Sequence, residues 1–287
     1  MEKRKFGRMN KEVTILTIGG AGLGEVDQEE VDRSFKKALD VGINMIDVAP
    51  SYGDAETKLH KWVKEYRDQF FLAEKTMERT KEGAQKELEN TLKTLGTDHI
   101  DLYQFHAVKS IEELHSIFGK GGAIETFLEA KEQGIIDYIG LTGHDNVQVH
   151  FKALELFDFD SLLLPVNITS MIQPDPVNDF NSVLQKAVEK HIGIIAIKAI
   201  QKRRWQGPQT YNTWYEPFDT KEEISEAITF TLSQEGVTTY SLAGETKLWD
   251  MMLEAGKNYK KIDKKTQKDL IEKYATQETQ PLFPEQV

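Results

Sequence analysis

The amino-acid sequence predicts an α/β fold in which eight parallel strands close into one barrel wrapped by helices, and three observations carry that reading. Short apolar runs alternate with amphipathic stretches about eight times along the chain. The strand runs are apolar nearly throughout, as expected where both faces of a parallel sheet are covered. The length of 287 residues suits a (β/α)8 TIM barrel as a single unit. Residues 1–287 are therefore read as one domain, with no interdomain linker and no low-complexity segment.

Ahead of the first barrel strand, KFGRMNKEVT (5–14) reads as a short N-terminal hairpin. The strand candidates follow as TILTIGG (14–20), GINMID (42–47), QFFLAEK (69–75), HIDLYQFH (99–106), GIIDYIGLT (134–142), SLLLPVN (161–167), IGIIAIK (192–198) and TTYSLAG (238–244). Between them, QEEVDRSFKKALDVG, TKEGAQKELENTLKTLG and SEAITFTLSQEG repeat apolar residues at helical spacing and stop at glycine. After the eighth helix, DKKTQKDLIEKYATQ (263–277) reads as an extra C-terminal helix lying against the barrel.

Eight units favour closure over an open doubly wound sheet. The glycine run GGAGLGE (19–25) agrees, since a dinucleotide fingerprint counted from Gly20 would need glycine where Glu25 stands. No Walker sequence is present. The least regular stretch, QKRRWQGPQTYNTWYEPFDT (201–220), is long for a compact domain, and such loops are usually functional or disordered.

Composition narrows the function. The chain is 39% hydrophobic and 29% charged, which provides for a large core and an ordinary soluble surface. No run approaches the ~20 apolar residues of a membrane span. MEKRKFGRMN has no apolar stretch behind its positive charge, so it does not read as a secretory signal, and a cytoplasmic location is expected. The absence of cysteine excludes disulfides, thiolate zinc sites, iron–sulfur clusters and a thiol nucleophile, and no metal set is read. A formal charge of −11 disfavours nucleic acid and anionic membrane as partners, while a local basic pocket for a phosphate is compatible with it.

In a parallel barrel the reactive groups gather at the carboxyl ends of the strands. Asp47 closes the second run, Tyr52 lies on its loop, Lys75 closes the third and His106 the fourth; further round stand Thr142 with His144, Asn167 and Lys198. One polar strand end is ordinarily a cap or a surface contact. Asp, Tyr, Lys and His brought to one mouth make an acid site instead. A phenol, with a pKa of about 10, is a poor acid at pH 7, and a neighbouring ammonium and imidazole would lower that value. Asp47 would pair with Lys75 and hold it charged.

These segments resemble the aldo-keto reductase family. NMIDVAPSYGDAE (44–56) is similar to its signature of Asp, small residues, Tyr-Gly and Glu, and FLAEKT to the strand bearing its lysine. TLKTLGTDHIDLYQFH resembles the helix and strand leading to its histidine, and GIIDYIGLTGHD the segment that holds the nicotinamide amide. The resemblance implies hydride transfer between NADP(H) or NAD(H) and a small-molecule carbonyl or alcohol. Tyr52 would be the general acid in reduction and the base in oxidation, tuned by Lys75 and His106, with Asp47 supporting the lysine. Thr142 and Asn167 would bind the carboxamide, Gly20, Ala21 and Gly22 would line the cofactor's passage, and Gly244, Thr246 and Lys247 would meet an adenosine phosphate at a helix start.

Departures from the pattern carry weight. Gly143 follows Thr142 where the family has Asn or Ser, and His144 comes next as a cofactor contact or a plain loop histidine. Ile197 replaces the aromatic ring that stacks on the nicotinamide, which removes ~0.5 to 1.5 kcal/mol of stacking. Lys198 would reach the cofactor's phosphates or the substrate. Along GETKLWDMMLE one cation, Lys247, faces Glu245, Asp250 and Glu254, which would repel a 2′-phosphate and accept from a ribose hydroxyl; NADP(H) is expected slightly ahead of NAD(H). Trp205, Trp214 and Tyr215 would close over the cofactor, line a substrate pocket or pack the loop. Two other readings stay open: a nucleotide-binding sensor with little turnover, and a lyase or isomerase using Lys75 as a Schiff base.

Overall fold

Runs that are apolar on both faces bury themselves in a closed sheet, and the computed structural model, which describes residues 1–283, has that sheet. The hairpin comes first, β1 (Lys3–Lys5) antiparallel to β2 (Glu12–Thr14) with Lys3 opposite Thr14. The barrel then runs β3 (Leu16–Gly19), β4 (Met45–Asp47), β5 (Phe71–Thr76), β6 (Ile100–Phe105), β7 (Ile136–Thr142), β8 (Ser161–Pro165) and β9 (Gly193–Ile197). A two-stranded ribbon, β10 (Gln201–Arg203) with β11 (Glu216–Pro217), intervenes before β12 (Val237–Ser241), which returns to pair with β3 and closes the ring. All barrel pairs are parallel, for example Asp47 beside Ala73 and Lys75 beside Gln104.

Helices fill the crossovers: α1 (Gln28–Asp40), α2 (Ala55–Tyr66), α3 (Lys81–Leu95), α4 (Ile111–Phe118), α5 (Ala123–Glu132), α6 (Val147–Leu156), α7 (Ile168–Ile172), α8 (Phe180–Glu189), α9 (Lys221–Leu232) and α10 (Trp249–Asn258). The extra helix is α11 (Lys264–Ala275). Local signals set their ends. Thr220 and Glu223 form a reciprocal capping box at the start of α9, and Gly96 ends α3 in the left-handed region at φ 71°. Among the described residues no helix is long and apolar enough to cross a membrane.

The hairpin plugs the amino-terminal end of the barrel. Phe6, Met9 and Val13 pack with Met45, Phe71, Leu102, Leu163 and Ile195 in a core layer of their own. Contact there is so close that a Cβ on Gly193 would sit 2.3 Å from the Phe6 ring. With the floor closed, the carboxyl end is the open one, and the 201–220 segment lies over it, tied at its base by the β10–β11 ribbon.

Candidate active site

Alternation along β5 decides which groups meet. Lys75 points to the barrel interior and is fully buried; its neighbour Glu74 points outward into the helix layer and is equally buried. The Lys75 ammonium lies 2.8 Å from Asp47 Oδ1 and donates to the Val48 carbonyl at 3.0 Å. Gln104 Nε2 at 3.3 Å and Ser241 Oγ at 3.4 Å donate to the two oxygens of Asp47. Above this pair stands Tyr52, its ring centroid 4.8 Å from the ammonium, with the His106 ring edge-on at 5.5 Å between centroids. Ser51 Oγ is 3.3 Å from His106 Nδ1.

The Tyr52 loop is seated by a glycine. A Cβ on Gly24 would lie 2.0 Å from the Tyr52 carbonyl oxygen, so only glycine lets the two backbones approach. The loop of His106 is held from β7: Thr142 Oγ1 accepts the Ala107 N–H at 2.7 Å, where Ala107 has a left-handed φ of 50°. Because that hydroxyl accepts from the backbone, its own hydrogen is left to donate toward the cleft.

Electrostatics depart from the sequence expectation at Tyr52. Burial raises the phenol above its ordinary value; the Lys75 charge opposes this but does not overcome it, and Asp47 adds to the rise. Nor does the imidazole act as a cation, because burial, then Lys75, His144 and Arg79, push His106 down to about 2. Burial also disfavours the Lys75 charge, yet Asp47 and Tyr52 outweigh it and hold the ammonium above the usual lysine range. At neutral pH the trio is therefore a protonated phenol, a neutral imidazole and a lysine cation.

A cleft of about 940 Å³ opens over these groups. Its walls include Ala21, Asp47, Tyr52, His106, Thr142, His144, Lys198 and Gly244 from the expected set. Gly20 and Gly22 lie beneath it: a Cβ on Gly20 would strike Val48 at 2.8 Å, and one on Gly22 the Trp249 ring at 3.1 Å. Asn167 is buried at the start of α7, where its Oδ1 accepts from Ser170 N, Ser170 Oγ and Thr169 Oγ1. Thr246 is buried and Lys247 exposed in the turn before α10, neither of them a wall of the cleft. The carboxylates there are occupied, contrary to the expectation of free acceptors. Glu245 accepts the N–H groups of Lys247 and Asn212, Asp250 pairs with Lys37 and Glu254 with Lys221.

Several walls escaped the sequence reading. Ser51, Lys109, Asp145 and Ser241 all line the cleft, and the rule of polar strand ends would have reached Ser241. Leu282 and Phe283 do so as well, where the chain after α11 crosses the mouth. Gln280 N donates to the Lys202 carbonyl at 2.9 Å, Arg204 donates to the Leu282 carbonyl, and the Phe283 ring stacks on His144 at 5.2 Å. Of the three loop aromatics, Tyr215 is buried, Trp205 donates to the Thr213 carbonyl, and Trp214 is 67% exposed, so its outer face is open to solvent.

Behind β5 lies a buried acidic cluster that the sequence did not reveal. Glu74 Oε1 accepts the Lys75 N–H at 2.8 Å, and Glu87 accepts from Thr76 Oγ1. Glu74 Oε2, Glu56 Oε1, Thr91 Oγ1 and the Tyr103 hydroxyl are buried without a hydrogen-bond partner among the described residues. Burial first, then the charge of Glu56, push Glu74 well above the usual carboxylate range, and burial raises Glu56 too.

A profile of the Aldo/keto reductase family matches residues 15–278. Aldo-keto reductase YhdN of Bacillus subtilis (strain 168) is 32% identical over 185 residues, 60% of this chain and 50% of that protein. Methylglyoxal reductase DkgA of Escherichia coli (strain K12) is 32% identical over 134 residues, 46% of each chain. The chain thus spans about half the length of the curated relatives it matches. The holo form of aldo-keto reductase AKR11C1 from Bacillus halodurans superposes with a TM-score of 0.75 at 21% identity, covering 98% of both chains, a likeness of fold.

Proposed function

The chain belongs to the aldo/keto reductase family, and on that premise we propose that it reduces aldehydes or ketones to alcohols with a nicotinamide cofactor, Tyr52 supplying the proton. The observation that carries this reading is the phenol standing over the buried Lys75–Asp47 pair with a neutral imidazole at its edge, all under one open cleft.

The cofactor supplies the hydride, and the rest falls to side chains. A substrate carbonyl oxygen between Tyr52 and His106 would accept hydrogen bonds from the phenol and the imidazole, which fixes its orientation. As negative charge develops on that oxygen, the phenolic proton moves to it from Tyr52. The phenolate left behind is stabilised by the Lys75 charge, which Asp47 keeps in place. A phenol that stays protonated at neutral pH suits reduction, since the proton is present when the step needs it. In the reverse direction the same residue would have to lose that proton first.

The chain's fit to a dinucleotide rests on the cleft's size and its walls: about 940 Å³ is at the upper end of small-molecule sites. Thr142, with a hydroxyl hydrogen to donate, would hold the carboxamide. Ala21 and Gly244 would border the chain of the cofactor, and Ile197 would offer an apolar face in place of a ring. Asn167, Gly20 and Gly22 would act from behind these walls. NADP(H) is proposed slightly ahead of NAD(H), because Lys247 is exposed at the start of α10 while the nearby acids are engaged elsewhere. One relative carries the name methylglyoxal reductase, so small aldehydes are a reasonable first substrate set. The cytoplasm is the proposed location.

The test is stopped-flow oxidation of bound NADPH by a panel of aldehydes and ketones. Oxidation of the reduced cofactor on mixing supports the reading. Tight cofactor binding with no oxidation by any carbonyl would overturn it in favour of a nucleotide sensor, the reading that the missing stacking ring at Ile197 favours.

A further inference from the structure

Lys198 has no task in the proton transfer, yet its conformation is costly. It is one of three non-glycine residues with a left-handed backbone among the described residues, at φ 60°. Such a conformation is unfavourable for an L-residue and persists where the surroundings demand it. At the end of β9 it carries the side chain into the cleft, over the rings of Trp214 at 5.4 Å and Tyr215 at 5.7 Å. No carboxylate of the described residues forms an ion pair with this ammonium. The opposing charge it feels is Asp145, whose Oδ1 is already 2.7 Å from His144 Nδ1. Burial prevails over Asp145 and brings Lys198 down to about 8. A half-buried cation with so little compensation gains from any anion that enters beside it.

The groups linked to it indicate which anion. Lys198 is coupled in charge to Asp145 after β7, Asp145 is bonded to His144, and His144 is coupled in charge to His106 after β6. Lys109, also on the cleft wall, adds a second cation beside Asp145. These groups form a polar arc on the β6–β9 side, ending at the imidazole proposed to hold the carbonyl. Of the proposed borders of the dinucleotide, Gly244 follows β12, which pairs with β9, and Ala21 follows β3, one strand further round the ring. Trp214 and Tyr215 lie under the ammonium, Phe283 stacks on His144 and Leu282 lines the same cleft, surfaces suited to a hydrocarbon spacer or an aromatic ring.

We propose that the cleft selects carbonyl substrates bearing a carboxylate at the end remote from the reacting carbon, and that the Lys198 ammonium is the group that reads it. This rests on the carbonyl-reductase reading and adds the substrate class to it. A charge-assisted hydrogen bond in such a setting corresponds to about tenfold to hundredfold in affinity.

The experiment compares 4-carboxybenzaldehyde with its methyl ester, which keeps the ring and the aldehyde and removes the charge. The expected kcat/KM ratio of acid to ester is tenfold or more and lies mainly in KM; in Lys198→Gln it falls to about one, and Lys198→Arg, which keeps a cation, retains a preference. In parallel, benzoate and benzamide are titrated against the cofactor-loaded protein by tryptophan fluorescence, for which Trp214 is well placed. Benzoate should bind more tightly than benzamide, and Lys198→Gln should remove the difference. A ratio near one in the unaltered protein overturns the proposal. So does a Lys198→Gln variant that weakens NADPH binding tenfold and keeps the preference for the acid, since the ammonium would then serve the cofactor's phosphates. If neither aldehyde is reduced, the catalytic reading fails, and the benzoate–benzamide comparison still decides the role of Lys198.

Discussion

Asp47→Asn removes one charge of a buried pair while keeping shape, so it isolates the electrostatics of the site. The Lys75 and Asp47 side chains are 0% and 3% exposed, so solvent screening does not reduce their interaction. Without the carboxylate the ammonium keeps the Val48 carbonyl and loses its compensating charge. Breaking such a pair on one side costs about 3–5 kcal/mol, a large part of the ~5–15 kcal/mol that holds a domain folded. At ~2.1 cal/mol/K per residue, 287 residues give about 0.6 kcal/mol per degree, so Tm should fall by roughly 5–8 °C. Lys75→Met should cost a comparable amount, by stranding the carboxylate. The double variant removes both charges and should recover most of the loss, with a coupling energy of about 3 kcal/mol. Urea unfolding at pH 7, followed by tryptophan fluorescence and checked for a constant m value, measures all four corners of the cycle. A loss below 1 kcal/mol for Asp47→Asn, or losses that simply add in the double variant, would refute the pairing as the support of Lys75.

Other consequences follow from neighbouring groups. Burial, then the charge of Glu56, hold Glu74 well above the usual carboxylate range in the folded chain, so as pH rises above an unfolded value of ~4.3 it favours folding less and less, by up to about 1.4 kcal/mol per pH unit, until the folded group ionises as well. Glu74→Gln should therefore flatten stability as pH rises above ~4.3; parallel curves for the two proteins would contradict the buried-acid assignment. Thr142→Val leaves the Ala107 N–H without its acceptor at a left-handed residue, which should cost about 1–3 kcal/mol in urea unfolding, and it should lower kcat/KM roughly tenfold through the His106 loop and the proposed carboxamide contact together. Unchanged values for both would detach Thr142 from the histidine loop. Glu245→Ala deprives Asn212 and Lys247 of their shared acceptor, so limited proteolysis should cut residues 205–215 severalfold faster. An unaltered cleavage rate would mean that the loop is held elsewhere.

The barrel was legible because strands covered on both faces are apolar at most positions, as in β3, β8 and β9, and the eight runs recur at regular intervals even where one, such as VTTYS of β12, is largely polar. The polar residues closing those runs then stand out, which is how Asp47, Lys75, His106 and Thr142 are found. The same rule reaches Asn167, whose side-chain oxygen caps α7: a strand end and a helix N-cap share one position, and both favour asparagine, so the sequence did not reveal the capping. Gly20 and Gly22 read as a ligand passage, and their missing side chains also make room for Val48 and Trp249, which the sequence did not reveal. Gly24, one step beyond that reading, is the glycine that seats Tyr52. Contacts set by the assembled fold left no periodic trace, Phe283 on His144 and Glu74 beside Glu56 among them. The direction of the Tyr52 shift was missed for the same reason, because neighbouring charges are visible in a sequence and the depth of burial is not.

The most direct test is single-turnover hydride transfer from bound NADPH in Tyr52→Phe, monitored by stopped-flow absorbance alongside a fluorescence titration of the cofactor. Loss of the phenolic proton should slow transfer at least ~10²-fold, the scale of a positioned acid, with the NADPH dissociation constant within about twofold of the unaltered protein. Transfer at a comparable rate in the phenylalanine variant would mean that the proton comes from another group, and that the convergence over Lys75 does not perform the chemistry.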